Sequence, residues 1–413
     1  MPANTDADYD VAIVGGGPVG LALAIALADG MDGIRIALLD RRPLSVPRDQ
    51  RASTIAAGVR KVLDGLGVWP GVAGVASPVR AMRITDSGTG DIARPLFLSF
   101  SGDVAPGEPF AHLVPNTALA EALLARLGDR AEIIAPVTIA GFAADRQRGR
   151  LTLADGRTIS AALVVAADGA MSGLRGMAGI GVVTHDYRQT GLVATIGHEH
   201  DHEGIAYEHF RPAGPFASLP LLDSDGRGLR SSLVWTESAP EAARLAALPL
   251  AEAASAIEAA MGSALGAVTL EGALQSYPLR LILARSFIAE RLALVGDAAH
   301  VVHPIAGQGL NLGLKDVAAL AETVLDALRL GLDPGQADTL ERYQRWRRLD
   351  TALMAMVTDG MNRLFSNDVA PLRAIRDLGL GVVDRLPPVK GALMARAAGL
   401  DAQGPRLLRG LPA

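Results

Sequence analysis

The chain of 413 residues contains no cysteine. That absence removes disulfides, thiolate nucleophiles and cysteine-ligated zinc or iron–sulfur sites, and it fits a reducing compartment such as the cytoplasm. Any redox chemistry then belongs to a bound cofactor. A basic excess is also missing: 39 Lys and Arg stand against 44 Asp and Glu, for a formal net charge of −5. Proteins that neutralise phosphates carry the opposite balance, so nucleic acid is set aside as a partner. Long uncharged apolar runs are scarce. The one that stands out, residues 11–28 (VAIVGGGPVGLALAIALA), is just long enough to suggest a membrane span. It is interrupted by GGGP, and Asp6, Asp8 and Asp10 precede it where a signal peptide needs positive charge. With 49% hydrophobic and 20% charged residues, the chain has the makings of two or three globular domains.

Within that apolar run, Tyr9–Val14 reads as a buried strand, GGGPVG as a tight turn and Leu21–Ala28 as a helix apolar on every face. Pro18 suits a first helical turn, where its missing N–H costs nothing. IRIALLD at 34–40 reads as a second strand ending in a carboxylate. Gly15, Gly17 and Gly20 stand in G-x-G-x-x-G spacing with Asp40 about twenty residues on, the dinucleotide-binding fingerprint. Asp40 would accept hydrogen bonds from an adenosine ribose and repel a 2′-phosphate, which admits FAD or NAD and excludes NADP.

Two later strands end in the same way. ALVVAADGAMSGLR runs into Asp168-Gly169, with Arg175 beyond, and RLALVGDAAH runs into Gly296-Asp297. Carboxylates at strand ends face the edge where an open α/β sheet binds ligands, although Asp-Gly at a strand end is equally a common turn. Residues 301–316, VVHPIAGQGLNLGLKD, then place Gly307, Gln308 and Gly309 in front of a long Ala/Leu-rich helix. Glycines there let a ligand approach the backbone, and the amides of a helix start favour an anion or an acceptor-rich edge. Helical periodicity fades over 78–110 and 182–280, where alternating strands such as SSLVW appear. The expected architecture is α/β: a Rossmann-like dinucleotide domain from 1–77, 111–181 and 281–330, a discontinuous β-sheet substrate domain from 78–110 and 182–280, and C-terminal helices over 331–413.

The combination GGGPVG, DQRAST, VPNTALAEALLARL, AADGAMSGLR, LVGDAAHVVHPIAGQGLNLGLKD and RLFSND…LRAIRDLGLGVVDRLPPVKGALMARAAGL resembles the ubiquinone-biosynthesis hydroxylases. These are class A flavoprotein monooxygenases related to p-hydroxybenzoate hydroxylase. The likeness runs from about residue 9 to 402, and HPIAGQGLNLGLKD is its most specific part. It implies FAD, O2, a flavin C4a-hydroperoxide and hydroxylation of a prenylated aromatic ring, with electrons from NAD(P)H or a protein donor. It further implies that Gly15, Gly17 and Gly20 surround the pyrophosphate and that Asp40, with Arg41 beside it, binds the adenosine ribose. Arg51, in a D-x-R pattern with Asp49, would lie on the pyrophosphate side, and Asn116 would touch the flavin. Asp168, Gly296 and Asp297 would line the cofactor site, Asp297 holding the ribityl hydroxyls. Gly307, Gln308, Gly309, Leu310 and Asn311 would lie against the isoalloxazine pyrimidine. Two positions depart from the pattern: Thr117 stands where VPNR has arginine, and Asp40 replaces the more frequent glutamate.

Backbone amides at Gly309–Asn311 would stabilise the charge of reduced flavin without reorganising. No catalytic base stands out. His303-Pro304 makes a rigid turn expected to face the flavin, and His300 and His303 are candidates either for proton handling or only for holding that turn. The rivals are a hydroxylase of a soluble aromatic acid, a flavin oxidoreductase that inserts no oxygen, and a non-catalytic flavin-binding assembly subunit. Two clusters remain. His198, His200 and His202 alternate in GHEHDHEG, so on a strand they share one face, read as solvated in preference to metal-binding. Arg342, Arg345, Arg347 and Arg348 surround Tyr343 and Trp346, ahead of the apolar LGLGVVDRLPPVKGALM. A solvated helix face is the default, with docking on the inner face of the membrane or on other ubiquinone-biosynthesis proteins as the alternative.

Overall fold

The computed structural model describes residues 7–46, 50–86, 96–101, 103–223, 225–366, 399 and 404–413. Asp49 and the 378–394 stretch, LGLGVVDRLPPVKGALM, lie outside them.

Five strands form a parallel block whose order is Leu292–Leu294, Thr158–Ala166, Ala7–Val14, Ile36–Leu39 and Glu132–Ile134. Their sequences are nearly continuous apolar runs because both faces are covered. The helix Pro18–Gly30 is buried from Gly20 to Leu27, and the helix Gln308–Arg329 is buried along most of its length. A hairpin adjoins this block: Gly149–Leu153 pairs antiparallel with Thr158–Ala166 across the Asp155-Gly156 turn.

A second sheet of nine strands is antiparallel apart from one pairing. Its path runs His300–Val301, Gln275–Ala284, Val182–His198, Arg230–Ser238, Gly214–Leu221, Ile205–Arg211, Ala81–Asp86 and Leu96–Ser101, with Val268–Leu270 branching from Val182–His198. The parallel pair is Ile205–Arg211 with Ala81–Asp86, which brings the 78–110 insertion into the same sheet as the 182–280 segment. Gln275–Ala284 runs on past position 280, and His300–Val301 joins its edge, so the sheet draws strands from within the 281–330 segment too. One face of this sheet is covered by the helices Ala239–Ala246 and Leu250–Met261 around Leu233, Trp235 and Ile257. A small third sheet, Ala52–Ala56, Ala111–Pro115 and Ser77–Val79, lies at the junction.

The helix Ala337–Phe365 packs on Gln308–Arg329. Here the solvated-face expectation needs correction. Arg347 is only 4% exposed; its Nε donates to Asp316 Oδ1 at 2.6 Å. Tyr343 is fully buried and donates its hydroxyl to the carbonyl of Leu294 at 2.6 Å. The helix is held down by partners in the parallel-sheet unit, and Arg345 and Arg348 are the arginines left on the outer side.

Candidate active site

The parallel register delivers four strand ends to one edge. Ala7–Val14 leads into Gly15–Gly17, Ile36–Leu39 into Asp40, Thr158–Ala166 into Ala167–Gly169, and Leu292–Leu294 into Val295–Asp297. A cavity of about 870 Å³ opens beside this edge.

The glycines divide by what a side chain would meet. Gly15 has φ +120°, and a Cβ there would stand 2.1 Å from the carbonyl oxygen of Ala167; at Gly20 it would stand 1.9 Å from that of Gly15. Both are required by packing between strand and helix. Gly307 (φ +61°) is required by conformation and by Thr54, whose Oγ1 would lie at 2.8 Å. Gly296 (φ +59°) likewise faces Val19. Gly17 and Gly309 are different: a Cβ at either would meet nothing within 4 Å, and both line the cavity. Nothing inside the protein demands glycine at those two positions. Each also stands at a helix start, and neither Gly17 nor Gly307, the residues preceding the two helices, provides a side-chain cap. Two sets of uncapped amides therefore border one space, which suits phosphate at one end and an anionic ring edge at the other.

The carboxylates take separate tasks. Asp40 accepts the amides of Gly16 (2.7 Å) and Arg42 (2.8 Å), one on each oxygen; a carboxylate has lone pairs left for ribose hydroxyls. Arg42, not Arg41, lines the cavity. Asp168 turns inward: Ser172 Oγ donates to it at 2.5 Å and the amide of Leu174 at 3.2 Å. It caps the following turn, while Ala167, Gly169 and Ala170 provide the lining. Asp297 stands exposed in the cavity. Burial by the surrounding walls raises its carboxyl above the usual range, and the nearby His300 and Arg51 pull it down in part. Arg51 lines the cavity and lies over the ring of Tyr277, 5.1 Å from its centroid. Asn116 also lines it and accepts from Ser53 Oγ at 2.7 Å.

Leu310 lines the cavity, whereas the side chains of Gln308 and Asn311 are buried. Asn311 Oδ1 accepts the amide of Ala56 at 3.0 Å, and its Nδ2 donates to the carbonyls of Thr54 (2.8 Å) and Gly307 (3.0 Å). Its side chain clamps the helix start to the Ala52–Ala56 strand, leaving only backbone for a ligand.

The two histidines sit behind the wall. His300 is buried, its Nε2 2.6 Å from Asp316 Oδ2. Asp316 also receives the amide of Gly296 at 2.9 Å and the Arg347 guanidinium. Burial works against its charge, yet His300 and Arg347 together hold its carboxyl below the usual range. His303 is fully buried, edge-on to Tyr187 at 5.0 Å. Burial pushes it down to about 4, opposed by Asp359, so its ring is neutral at physiological pH. Pro304 alone of the three lines the cavity.

Opposite the strand ends, the nine-stranded sheet forms the second wall, with Met82, Val193, Ala217, Leu219 and Val234 among its lining. One carboxyl, Glu208, is set in this apolar surface. The hydrogen bonds of the histidine cluster favour neither a metal site nor one shared solvated face, although His200 itself is exposed. The strand ends at His198, and His198 and His202 are buried. His198 is bonded to the His200 carbonyl and Ser231 Oγ, and His202 to the Leu221 carbonyl and the Gly204 amide.

Open glycines, uncapped helix starts and carboxylates along the carboxyl edge of a parallel sheet define a dinucleotide-binding flavoprotein whose cofactor space continues into an apolar chamber. A family model described as an FAD binding domain matches residues 8–357. The chain belongs to this family and is an FAD-dependent monooxygenase. It is 44% identical to "Ubiquinone hydroxylase UbiL" of Rhodospirillum rubrum, over all of this chain and 95% of that one. It is 35% identical to "3-demethoxyubiquinol 3-hydroxylase" of Escherichia coli, over 96% of this chain and 100% of that one. The fold matches the crystal structure of p-nitrophenol 4-monooxygenase PnpA from Pseudomonas putida with a TM-score of 0.77 at 20% identity, covering 95% and 98% of the two chains.

Arg42, Tyr277 and Glu208 are among the lining residues to which the sequence assigns no role. Glu208 is visible in a G-x-A-x-E-x-F pattern (Gly204, Ala206, Glu208, Phe210), but nothing in that pattern says which face meets the cavity.

Proposed function

We propose that this chain hydroxylates the aromatic ring of a prenylated phenol in ubiquinone biosynthesis. The observation that carries the proposal is the continuity of one cavity from the glycine turns to the apolar sheet wall, in a chain similar over its whole length to hydroxylases of this pathway. Bound FAD supplies the activation of O2, using electrons from NAD(P)H, the reductant typical of the family, or from a protein donor.

The residues have distinct parts in this reading. Gly17 and the amides after it receive the pyrophosphate, Asp40 the adenosine ribose and Asp297 the ribityl chain. The amides of Gly309 and Leu310, at the start of a 22-residue helix, stabilise negative charge on the flavin ring. Pro304 bounds the reaction space, and the apolar lining of Val193, Leu219 and Val234 excludes water and receives the ring and the start of its prenyl tail. Asp316 acts from behind: it holds the amide of Gly296, and with it Asp297, in place. His303, neutral and shielded, packs the turn. A prenylated substrate resides in the bilayer, so the enzyme would meet the membrane peripherally on its cytoplasmic side. No helix among the described residues is long and apolar enough to cross it. Other ubiquinone-biosynthesis proteins are natural partners for handing on such a substrate.

Quinone lipids from a strain lacking the gene provide the test. Loss of ubiquinone with accumulation of a prenylated intermediate short of one oxygen, together with incorporation of labelled O2 by the purified enzyme, is the expected result. An unchanged quinone profile would move the assignment to a soluble aromatic acid.

A further inference from the structure

Glu208 lies on the strand Ile205–Arg211, only 6% exposed, with its cross-strand neighbours Ala217 and Ile84 both apolar. The flanking strand Gly214–Leu221 carries no titratable side chain, and Arg83 of the other flanking strand pairs with Tyr207, across from the ring it stacks upon. The other titratable groups of the cavity lining are Arg42, Arg51, Tyr277, Arg280 and Asp297. Among the described residues no hydrogen bond or neighbouring charge offsets the burial of Glu208, which pushes its carboxyl up to about 7. An unpartnered buried carboxyl costs stability, and this one opens onto the chamber assigned to the substrate.

We infer that Glu208 is a catalytic residue that accepts the proton of the substrate's ring hydroxyl, holding the bound phenol as a phenolate during hydroxylation. The inference rests on the phenolic-substrate reading above. The step is a proton transfer: the phenol O–H bond breaks with its electron pair left on oxygen, and a new O–H bond forms on the carboxylate. Glu208 returns the proton to that oxygen as the hydroxylated ring regains aromaticity by releasing its displaced hydrogen as a proton to water, so the carboxylate is regenerated and no further reactant is needed. A phenolate donates electron density to the ring more strongly than a phenol, which favours attack on an electrophilic oxygen. A carboxyl titrating near the working pH is the effective kind of acid–base group.

The test uses purified holoenzyme and 2-geranylphenol as probe. The wild type is expected to bind the probe with the ultraviolet difference spectrum of a phenolate at a pH where the free phenol is protonated, and to hydroxylate it. Glu208→Gln should bind it as the neutral phenol, with kcat lowered about a hundredfold or more, KM within a few-fold and flavin content unchanged. Glu208→Asp should recover part of kcat and of the phenolate signal. Wild-type kcat and phenolate spectrum in Glu208→Gln would overturn the assignment while leaving the substrate reading intact. Loss of flavin from both variants would make Glu208 a structural residue and overturn it also. Failure of the wild type to bind 2-geranylphenol would overturn the substrate reading, and the assignment with it.

Discussion

The two walls of the cavity are built on opposite principles. The cofactor wall is a row of turns and helix starts, each following directly on the strand that positions it, and its ligand-binding groups are largely backbone amides and short acidic side chains. The substrate wall is the face of an antiparallel sheet, assembled from strands as far apart in sequence as Ala81–Asp86 and Gln275–Ala284. Its lining consists almost wholly of apolar side chains. Backbone geometry makes the first wall a general device for a dinucleotide. The second can be changed one side chain at a time, which is how one fold comes to serve many substrates.

If the cofactor wall depends on what lies behind it, the largest effect should come from Asp316. Asp316→Ala leaves Arg347 and His300 buried without their common carboxylate and frees the Gly296 amide. Breaking a buried pair in this way costs about 3–5 kcal/mol. A markedly lower melting temperature with loss of flavin is expected; calorimetry and flavin absorbance would show it, and a melting curve like that of the wild type would remove the network from the account. The glycines give a sharper contrast. Gly15→Val places atoms where the Ala167 carbonyl stands and should destabilise the apoprotein. Gly17→Val sets its Cβ where no protein atom lies within 4 Å and should leave the melting of the apoprotein unchanged while abolishing flavin binding, measured by titrating FAD into each variant. Equal damage from both would mean that Gly17, too, is a packing glycine.

The same division explains what could be read in the sequence. Gly15, Gly17, Gly20, Asp40 and Asp297 stand out because a turn is a local event with a residue requirement at fixed offsets, and the parallel order of the strands then carries them to one edge. Arg41 was named where Arg42 lines the cavity, because side-chain direction on a short turn changes with every residue. Asp168 kept two possible roles in the sequence, and only its bonds to Ser172 and Leu174 show the cap. The sequence pattern points to solvated faces for Arg347, His198 and His202, which are buried, because their partners are distant. Asp316 lies 31 positions from Arg347, and the Leu221 carbonyl lies 19 from His202. Glu208 was legible as a letter but not as a site, since alternation along a strand distinguishes two faces without saying what either face meets.

A smaller effect separates function from stability on the substrate wall. The Glu208 carboxyl titrates at about 7 in the folded chain and near 4.3 when unfolded. The folded state therefore binds the proton more tightly. Stability from that binding is complete below the unfolded value and is lost as pH rises through about 7. Glu208→Gln, which is never charged, should be more stable than the wild type at pH 8, by at most about 4 kcal/mol, and much closer to it at pH 5. Melting curves at the two pH values check this, and a variant no more stable at pH 8 would mean that the carboxylate has a partner.

The smallest expected effect is on the same wall, at Thr236. Its hydroxyl is buried without a hydrogen-bond partner among the described residues although Thr236 lines the cavity, and its strand neighbour is Gly191. Valine has nearly the same shape and no polar group to satisfy. Thr236→Val should therefore leave flavin binding unchanged and alter stability by about 1 kcal/mol or less, in the stabilising direction. If the hydroxyl is kept for an oxygen of the substrate ring, KM for a prenylated phenol should rise a few-fold with kcat nearly constant, because an interaction made equally before and during the reaction affects binding alone. Steady-state kinetics beside a melting curve would decide it. An unchanged KM would leave Glu208, Tyr277 and Arg280 as the polar groups that the sheet wall offers the substrate, and a fall in kcat would tie Thr236 to the proton transfer itself.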